Sequence, residues 1–313
     1  MYKGKNCDIT GIVLIGGARH TPGPKGELEV HYPQYSEWNK YLEGQNYLDW
    51  SGFVGAPILD QNHEKQIMLA GGYYGKDYKH PLVSRRTLFL NPQTLKTRPA
   101  PLLNNPRALG SAAAFGNSVV VCGGVRTPRR GGSRFYGTNS CERFVFDKGE
   151  WQPFPSMIHK RFNFPMTEMQ GHLYAAGGSN DRGTLERYNP GIRKWELRRP
   201  MVNHRQASGF PMSQLNGKLI ACGGTKGFKI LDTCESYNPV TDTWMPFPPM
   251  NIGRRHFQLV QYGGKLYALG GQTSLINGHT SAVECYWPSS NIWNDANNLM
   301  SGRSDFVAVN LGG

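Results

Sequence analysis

The stretch Lys265–Trp293, KLYALGGQTSLINGHTSAVECYWPSSNIW, decides how the chain is read, because variants of it occur six times. It joins an apolar run (Leu266 to Leu269), a glycine pair (Gly270, Gly271), a polar loop, Glu284, a turn from Tyr286 to Pro288, and Trp293. The pair recurs at Gly16/Gly17, Gly71/Gly72, Gly123/Gly124, Gly177/Gly178 and Gly223/Gly224. A spacing of roughly 50 residues marks a repeated supersecondary unit.

The other markers keep register with the glycines. Glu29, Glu142, Glu186, Glu235 and Glu284 stand four residues before the turn proline or its stand-in Phe146. Trp38, Trp151, Trp195, Trp244 and Trp293 stand five residues after it. The second copy departs, with Leu88 and Thr97 around Asn91 and Pro92. An arginine introduces one further strand per unit (Arg107, Arg161, Arg205, Arg254, Arg303), always ten residues beyond the tryptophan position. Each unit therefore reads as a four-stranded antiparallel meander.

The segment from Leu299 to Leu311 copies the introducing strand and then stops, whereas the first unit, opening at Ile9–Ile15, lacks one. Pairing the two ends removes two open sheet edges. The expectation is one all-β domain over 1–313, a six-bladed propeller of four-stranded antiparallel blades in which the C-terminal strand completes the first blade. Blade 1 covers about 1–42 plus 303–313, blade 2 about 43–101 and blade 3 about 102–155. Blade 4 covers about 156–199, blade 5 about 200–248 and blade 6 about 249–298.

Composition fits this pattern: 39 glycines, 21 prolines and 12% aromatics among 313 residues describe short strands and tight turns. No apolar window is long enough for a membrane helix. The run Gly11–Ile15 aligns with a repeat strand rather than a signal peptide. The six cysteines form no C-x-x-C pair, and Cys122 and Cys222 share one apolar strand position, so they read as buried small hydrophobes in a reducing cytosol. Localisation is accordingly expected to be cytoplasmic, with the nucleus as a second compartment.

The glycine pairs, YNP turns, tryptophans and arginine-led strands resemble Kelch repeats, and the ending LMSGRSDFVAV is similar to the Kelch domain of BTB-Kelch proteins. The resemblance covers the whole chain. It implies a substrate-recognition domain, binding a degron on the channel-mouth face, in an adaptor that reaches a cullin-RING ubiquitin ligase through domains outside this chain. An actin-associated Kelch scaffold is the alternative.

A residue stamped into five blades carries no blade-specific contact easily, so the arginine series is read as structural, pairing with carbonyls or with the repeated glutamates. Residues just after each arginine and each glycine pair differ from blade to blade, and in an up-and-down meander both sets fall on one face. Partner contacts are therefore expected at Tyr73, Tyr74, Arg126, Arg130, Phe162, Ser179, Asn180, Gln206, Lys226, Arg255, Gln272 and Ser304.

The formal charge is +13, and the loop from Val125 to Thr138 holds Arg126, Arg129, Arg130 and Arg134 with no acid. Cations ringing a concave surface would capture an acidic peptide. The same charges would equally suit a plain basic solvent face, and the sequence leaves both readings open.

No catalytic motif occurs, and His159, His204 and His256 have no carboxylate or cysteine companion that would make them a metal site. We expect no enzyme activity, cofactor or metal; a Kelch-fold metalloenzyme is the third reading. Nucleic acid is not an expected partner, because the cations are not interleaved with stacking aromatics.

Overall fold

The computed structural model describes residues 11–17, 28–31, 38–41, 51–74, 82–127, 136–179, 183–202, 209–276 and 278–310. Five blades, numbered 2 to 6 after their sequence repeats, are each built from one continuous stretch of chain. Blade 2 comprises Val54–Leu59, Lys65–Ala70, Thr87–Leu90 and Thr97–Pro99, and blade 3 comprises Ser111–Ala114, Ser118–Cys122, Cys141–Val145 and Glu150–Phe154. Blade 4 comprises Met166–Met169, His172–Ala176, Leu185–Asn189 and Lys194–Arg198. Blade 5 comprises Met212–Leu215, Lys218–Cys222, Cys234–Asn238 and Thr243–Phe247. Blade 6 comprises Gln258–Tyr262, Lys265–Leu269, Val283–Trp287 and Ile292–Ala296.

The expectation of six like blades is corrected to five. The remaining sheet is not built from one continuous stretch but is a composite of both ends of the chain, in the order Trp38–Tyr41, Leu28–His31, Ile12–Ile15 and Val307–Asn310. Val13 faces Val309 and Ile15 faces Val307 across that junction, antiparallel. The blades are also not plain meanders. Among the described residues three carry an extra two-stranded ribbon between their second and third strands: Tyr73–Tyr74 with Leu82–Val83, Val125–Arg126 with Tyr136–Gly137, and Thr225–Lys226 with Lys229–Ile230.

The second strand of each blade is apolar on both faces because it is sandwiched between neighbours; Leu173 to Ala176 and Leu266 to Leu269 are almost wholly buried. The glycine pair ending that strand is where the next blade's arginine arrives. Its second glycine donates its N–H to the arginine carbonyl: Gly72 to Arg107 at 2.7 Å, Gly124 to Arg161 at 2.8 Å, Gly224 to Arg254 at 2.9 Å and Gly271 to Arg303 at 2.8 Å. A Cβ on the first glycine would stand 2.5 Å from the Arg161 carbonyl at Gly123, where φ is +63°. Only glycine fits both conditions.

The repeated tryptophan of blades 3 to 6 crosses to the link that enters its blade. The indole N–H groups of Trp151, Trp195, Trp244 and Trp293 donate to the carbonyls of Pro101, Pro155, Arg199 and Pro248 at 2.8, 2.8, 2.8 and 3.0 Å. Trp244→Phe keeps most of the apolar contact but orphans the Arg199 carbonyl, and is expected to cost about 1–2 kcal/mol in urea denaturation. An unchanged midpoint would deny the bond any weight.

Two cysteine readings are corrected. Cys122 is bonded to Cys141, and Cys222 to Cys234. Each pair joins the last residue of a second strand to the first residue of the third, directly opposite in register. These residues are buried, as expected, but as cross-strand disulfides rather than thiols, which removes the cysteine argument for a reducing compartment. Cys285 is buried outside both bridges.

Candidate interaction face

The face holding the ribbons and the interblade links is anchored from below by buried ion pairs. Arg107, Arg161, Arg254 and Arg303 have 0–1% of their surface exposed. Arg161 shows the pattern: one terminal nitrogen donates to the Gly177 carbonyl at 2.6 Å, the other to Thr184 Oγ1 at 2.7 Å and to Glu186 Oε1 at 2.8 Å. Glu186 also accepts the backbone N–H groups of Ile158 and His159 at 2.6 and 2.9 Å. Arg107 meets Glu142 at 2.7 Å and Arg254 meets Glu284 at 2.6 Å in the same way. Burial holds the Arg107 and Arg254 pKa values below the ordinary arginine range, against the pull of Glu142 and Glu284. Both guanidiniums remain charged. Arg303 ties the composite sheet with a bond to the Gly16 carbonyl at 3.1 Å. These four arginines have no surface left for a partner; carbonyls and glutamates together hold Arg107, Arg161 and Arg254, and Arg303 is held by the Gly16 carbonyl and Ser301 Oγ.

Above this layer the expected contact residues separate into groups. Tyr73 and Phe162 pack on one small cluster of Val83, Ala108 and Val125, so they roof blades 2 and 3. Burial raises the Tyr73 hydroxyl to about 12. Arg126 turns back to Ser140 Oγ at 2.6 Å, half-buried beside Arg107. Ser179 is half-buried, its N–H on the Phe162 carbonyl. Tyr74 lies in the blade 2 ribbon, but its side chain, with Arg130, Asn180 and Gln206, falls outside the described residues.

Blades 5 and 6 are the open side. The blade 5 ribbon turns through Gly227 and Phe228, exposing Phe228 at 92% between Lys226 and Lys229. It is held beside the next link by the Arg254 N–H, which donates to the Leu231 carbonyl at 3.1 Å. Arg255 follows on that link, bridged through its backbone to Gln272, with Nη2 on the Leu275 carbonyl at 3.1 Å. Ile276, 88% exposed, adds a second apolar tip. One exposed acid, Asp232, stands at the base of the ribbon.

Ser304 is fully buried and donates its hydroxyl to Asp305 Oδ2 at 2.8 Å, while Gln272 Nε2 donates to Ser304 Oγ at 3.2 Å. The outward group here is the following residue, Asp305, which the sequence reading passed over. Asp305 Oδ1 lies 2.6 Å from His256 Nδ1, the equivalent position one blade earlier. Both residues have positive φ, at +54° and +52°, and the Asp305 N–H donates to the His256 carbonyl at 3.0 Å. Burial at the channel mouth works to raise the Asp305 pKa, but the bond and charge of His256 outweigh it and hold the carboxyl below its usual range. A signal existed in the sequence: the second residue after each arginine (Leu109, Asn163, Ala207, His256, Asp305) varies as much as the first.

Beneath the face runs a central channel of about 450 Å³, lined by the innermost strands and polar at Glu168, Gln214, Gln258 and Asn310. Among the described residues no group of three or more His, Cys, Asp or Glu could hold a metal ion, and no helix is long and apolar enough to cross a membrane.

The family model for the Kelch motif matches residues 206–251 and 253–300, which are blades 5 and 6 with their links. It is a Kelch-repeat propeller, similar to the Kelch-like proteins. Kelch-like protein 26 of Danio rerio is 28% identical over 200 residues, 60% of this chain and 32% of that protein. Kelch-like protein 40 of Xenopus laevis is 29% identical over 223 residues, 68% of this chain and 35% of that protein. The chain thus spans about a third of the length of the curated relatives it matches. The solved structure of YjhT shares the fold at a TM-score of 0.67 and 12% identity, over 83% of this chain and 87% of that one. A Kelch propeller of this kind is a protein-interaction module.

Proposed function

We propose that this Kelch propeller is the substrate-recognition domain of a BTB-Kelch adaptor of a cullin-RING ubiquitin ligase, and that it takes an acidic peptide with an apolar residue on the ribbon face of blades 5 and 6. Likeness to the Kelch-like proteins supports the adaptor role. The observation that carries the peptide reading is the Lys226–Lys229 ribbon tip beside Arg255. Phe228 stands almost fully in solvent between two cations, with Ile276 as a second exposed apolar tip on the next blade. An exposed aromatic flanked by cations is the composition of an interface centre with an electrostatic rim.

Quantitative pull-down from lysate in low salt tests this. The double variant Phe228→Ala with Lys226→Glu, and separately Arg255→Glu, are each expected to lose at least tenfold of the partners that wild type captures. The thermal midpoint of the blade 5 double variant should not move, since Lys226 and Phe228 are exposed, and that of Arg255→Glu should fall only slightly, by the bond to the Leu275 carbonyl. Recovery of the same partners by both variants would place recognition elsewhere. Capture of actin filaments alone, in co-sedimentation, would support the scaffold reading that the charge of +13 also suits.

A further inference from the structure

At the seam of blades 3 and 4, the third and fourth strands of blade 3 and the strand-connecting turns at Phe115 and Pro190–Arg193 enclose a cavity of about 380 Å³. Its floor is aromatic. Phe154 and Tyr188 have ring centroids 4.5 Å apart, and Phe115 meets them edge-on at 6.2 and 5.8 Å. Arg143 and Arg193 also line it.

The repeats explain why this seam alone carries such an arrangement among those described. In blades 5 and 6 the tyrosine equivalent to Tyr188 has a taken hydroxyl. Tyr237 donates to Asp242 Oδ1 at 2.6 Å and Tyr286 to Asn291 Oδ1 at 2.7 Å, the acceptor lying five residues on at positive φ. Blade 4 keeps the tyrosine and the positive φ (+54°), but the residue is Arg193, which has no acceptor to offer. Among the described residues the Tyr188 hydroxyl is therefore left without a hydrogen-bond partner.

A second exchange works the same way. In blade 4, Arg187 faces Glu196 across the strand pair and is neutralised at 2.7 Å. In blade 3 the equivalent arginine, Arg143, faces Gln152, whose amide donates to Glu150 at 2.9 Å instead. The guanidiniums of Arg143 and Arg193 have no carboxylate or hydrogen-bond acceptor among the described residues. Two uncompensated cations and an unused hydroxyl over a three-ring floor form a donor set with an apolar base. At about 380 Å³ the cavity falls within the size of small-ligand sites.

We infer that this seam is a second binding site, for a flat apolar group that carries a carboxylate. The two arginines supply the charge-assisted bonds and Tyr188 a third donor, while Phe115 and Phe154 receive the apolar body. Such a ligand is offered by the aromatic C-terminal residue of a peptide or by a free aromatic acid. The site shares no residue with the ribbon that carries Phe228, lies in different blades and stands independently of the ribbon face.

The test uses phenylacetate, N-acetylphenylalanine and N-acetylphenylalaninamide in ligand-observed NMR titrations of the whole chain. Saturable binding of at least one acid is expected, with the amide at least tenfold weaker. Arg193→Asn and Arg143→Ser install the residues that blades 6 and 5 already use, so folding should be unaffected, and each should weaken the acid at least tenfold. Phe228→Ala should leave it unchanged. A tighter N-acetylphenylalanine identifies a peptide end as the source, and a tighter phenylacetate identifies a free acid. Failure of both acids to saturate, an amide equal to the acid, or unchanged affinity in both arginine variants overturns the inference.

Discussion

Glu186→Gln is expected to destabilise the propeller by about 3–5 kcal/mol, the cost of leaving a buried charge without its counter-ion. Arg161 is fully buried and Glu186 is fully buried, 2.8 Å apart, and the arginine cannot shed its proton to escape. The glutamine retains an acceptor oxygen, so the shape is kept and the missing charge is isolated. Glu186 further accepts the N–H groups of Ile158 and His159 in the link entering blade 4, so the defect should loosen the seam with blade 3. Denaturant unfolding of Glu186→Gln beside Glu196→Gln separates burial from charge. The second pair, with side-chain exposures of 18% and 32%, should cost no more than about 1 kcal/mol. Equal losses would mean that the buried pair carries no special weight.

Reduction of both disulfides is expected to remove about 3 kcal/mol per bridge in the chain-entropy picture, since they close loops with sequence separations of 19 and 12. The bridges lie in different blades, so their effects should be close to additive. Unfolding curves for the oxidised chain, for Cys122→Ala/Cys141→Ala, for Cys222→Ala/Cys234→Ala and for all four changes together measure each term. The cysteines are buried, so a thiol reagent should find them in the denatured chain only after reductant is added. Full alkylation of Cys122, Cys141, Cys222 and Cys234 without reductant would mean that the pairs do not form.

Features stamped into most repeats were readable from the residues. The glycine pairs, the tryptophans and the Arg–Glu sets appear in register because each meets the same neighbour in each blade, so period alone separates them from chance. What depends on the partner across a strand was hidden. Cys122 and Cys141 come into register only once the intervening loop has folded into its own ribbon, and no local spacing announces that. The idea of six like blades failed for a related reason. Repeat counting scores the first copy as a blade like the others, whereas its sheet is closed, as the unmatched end strand leads one to expect, by Val307–Asn310, leaving five blades made from continuous chain. Of the expected contact residues, Lys226 and Arg255 stand on the open side, Tyr73 and Phe162 roof a small core, and Ser304 is covered. Sequence variability marks a loop without telling whether its side chain turns outward. The seam cavity was invisible for the opposite reason: its meaning lies in exceptions, Arg193 for Asn or Asp and Gln152 for Glu, which stand out only against paired neighbours.

The pairing of Ile12–Ile15 with Val307–Asn310 also bears on how the molecule is made. Arg303 and Gly16, which bond across that junction, are 287 positions apart. During translation the strand Ile12–Ile15 leaves the ribosome with one flank bare, and its mate follows only after the five continuous blades between them have been synthesised. Contacts so distant along the chain are slow to form, and an unmatched strand can meanwhile join a stranger. The clasp that finishes the toroid thus sets an interval of vulnerability in biosynthesis, during which a chaperone has most to protect.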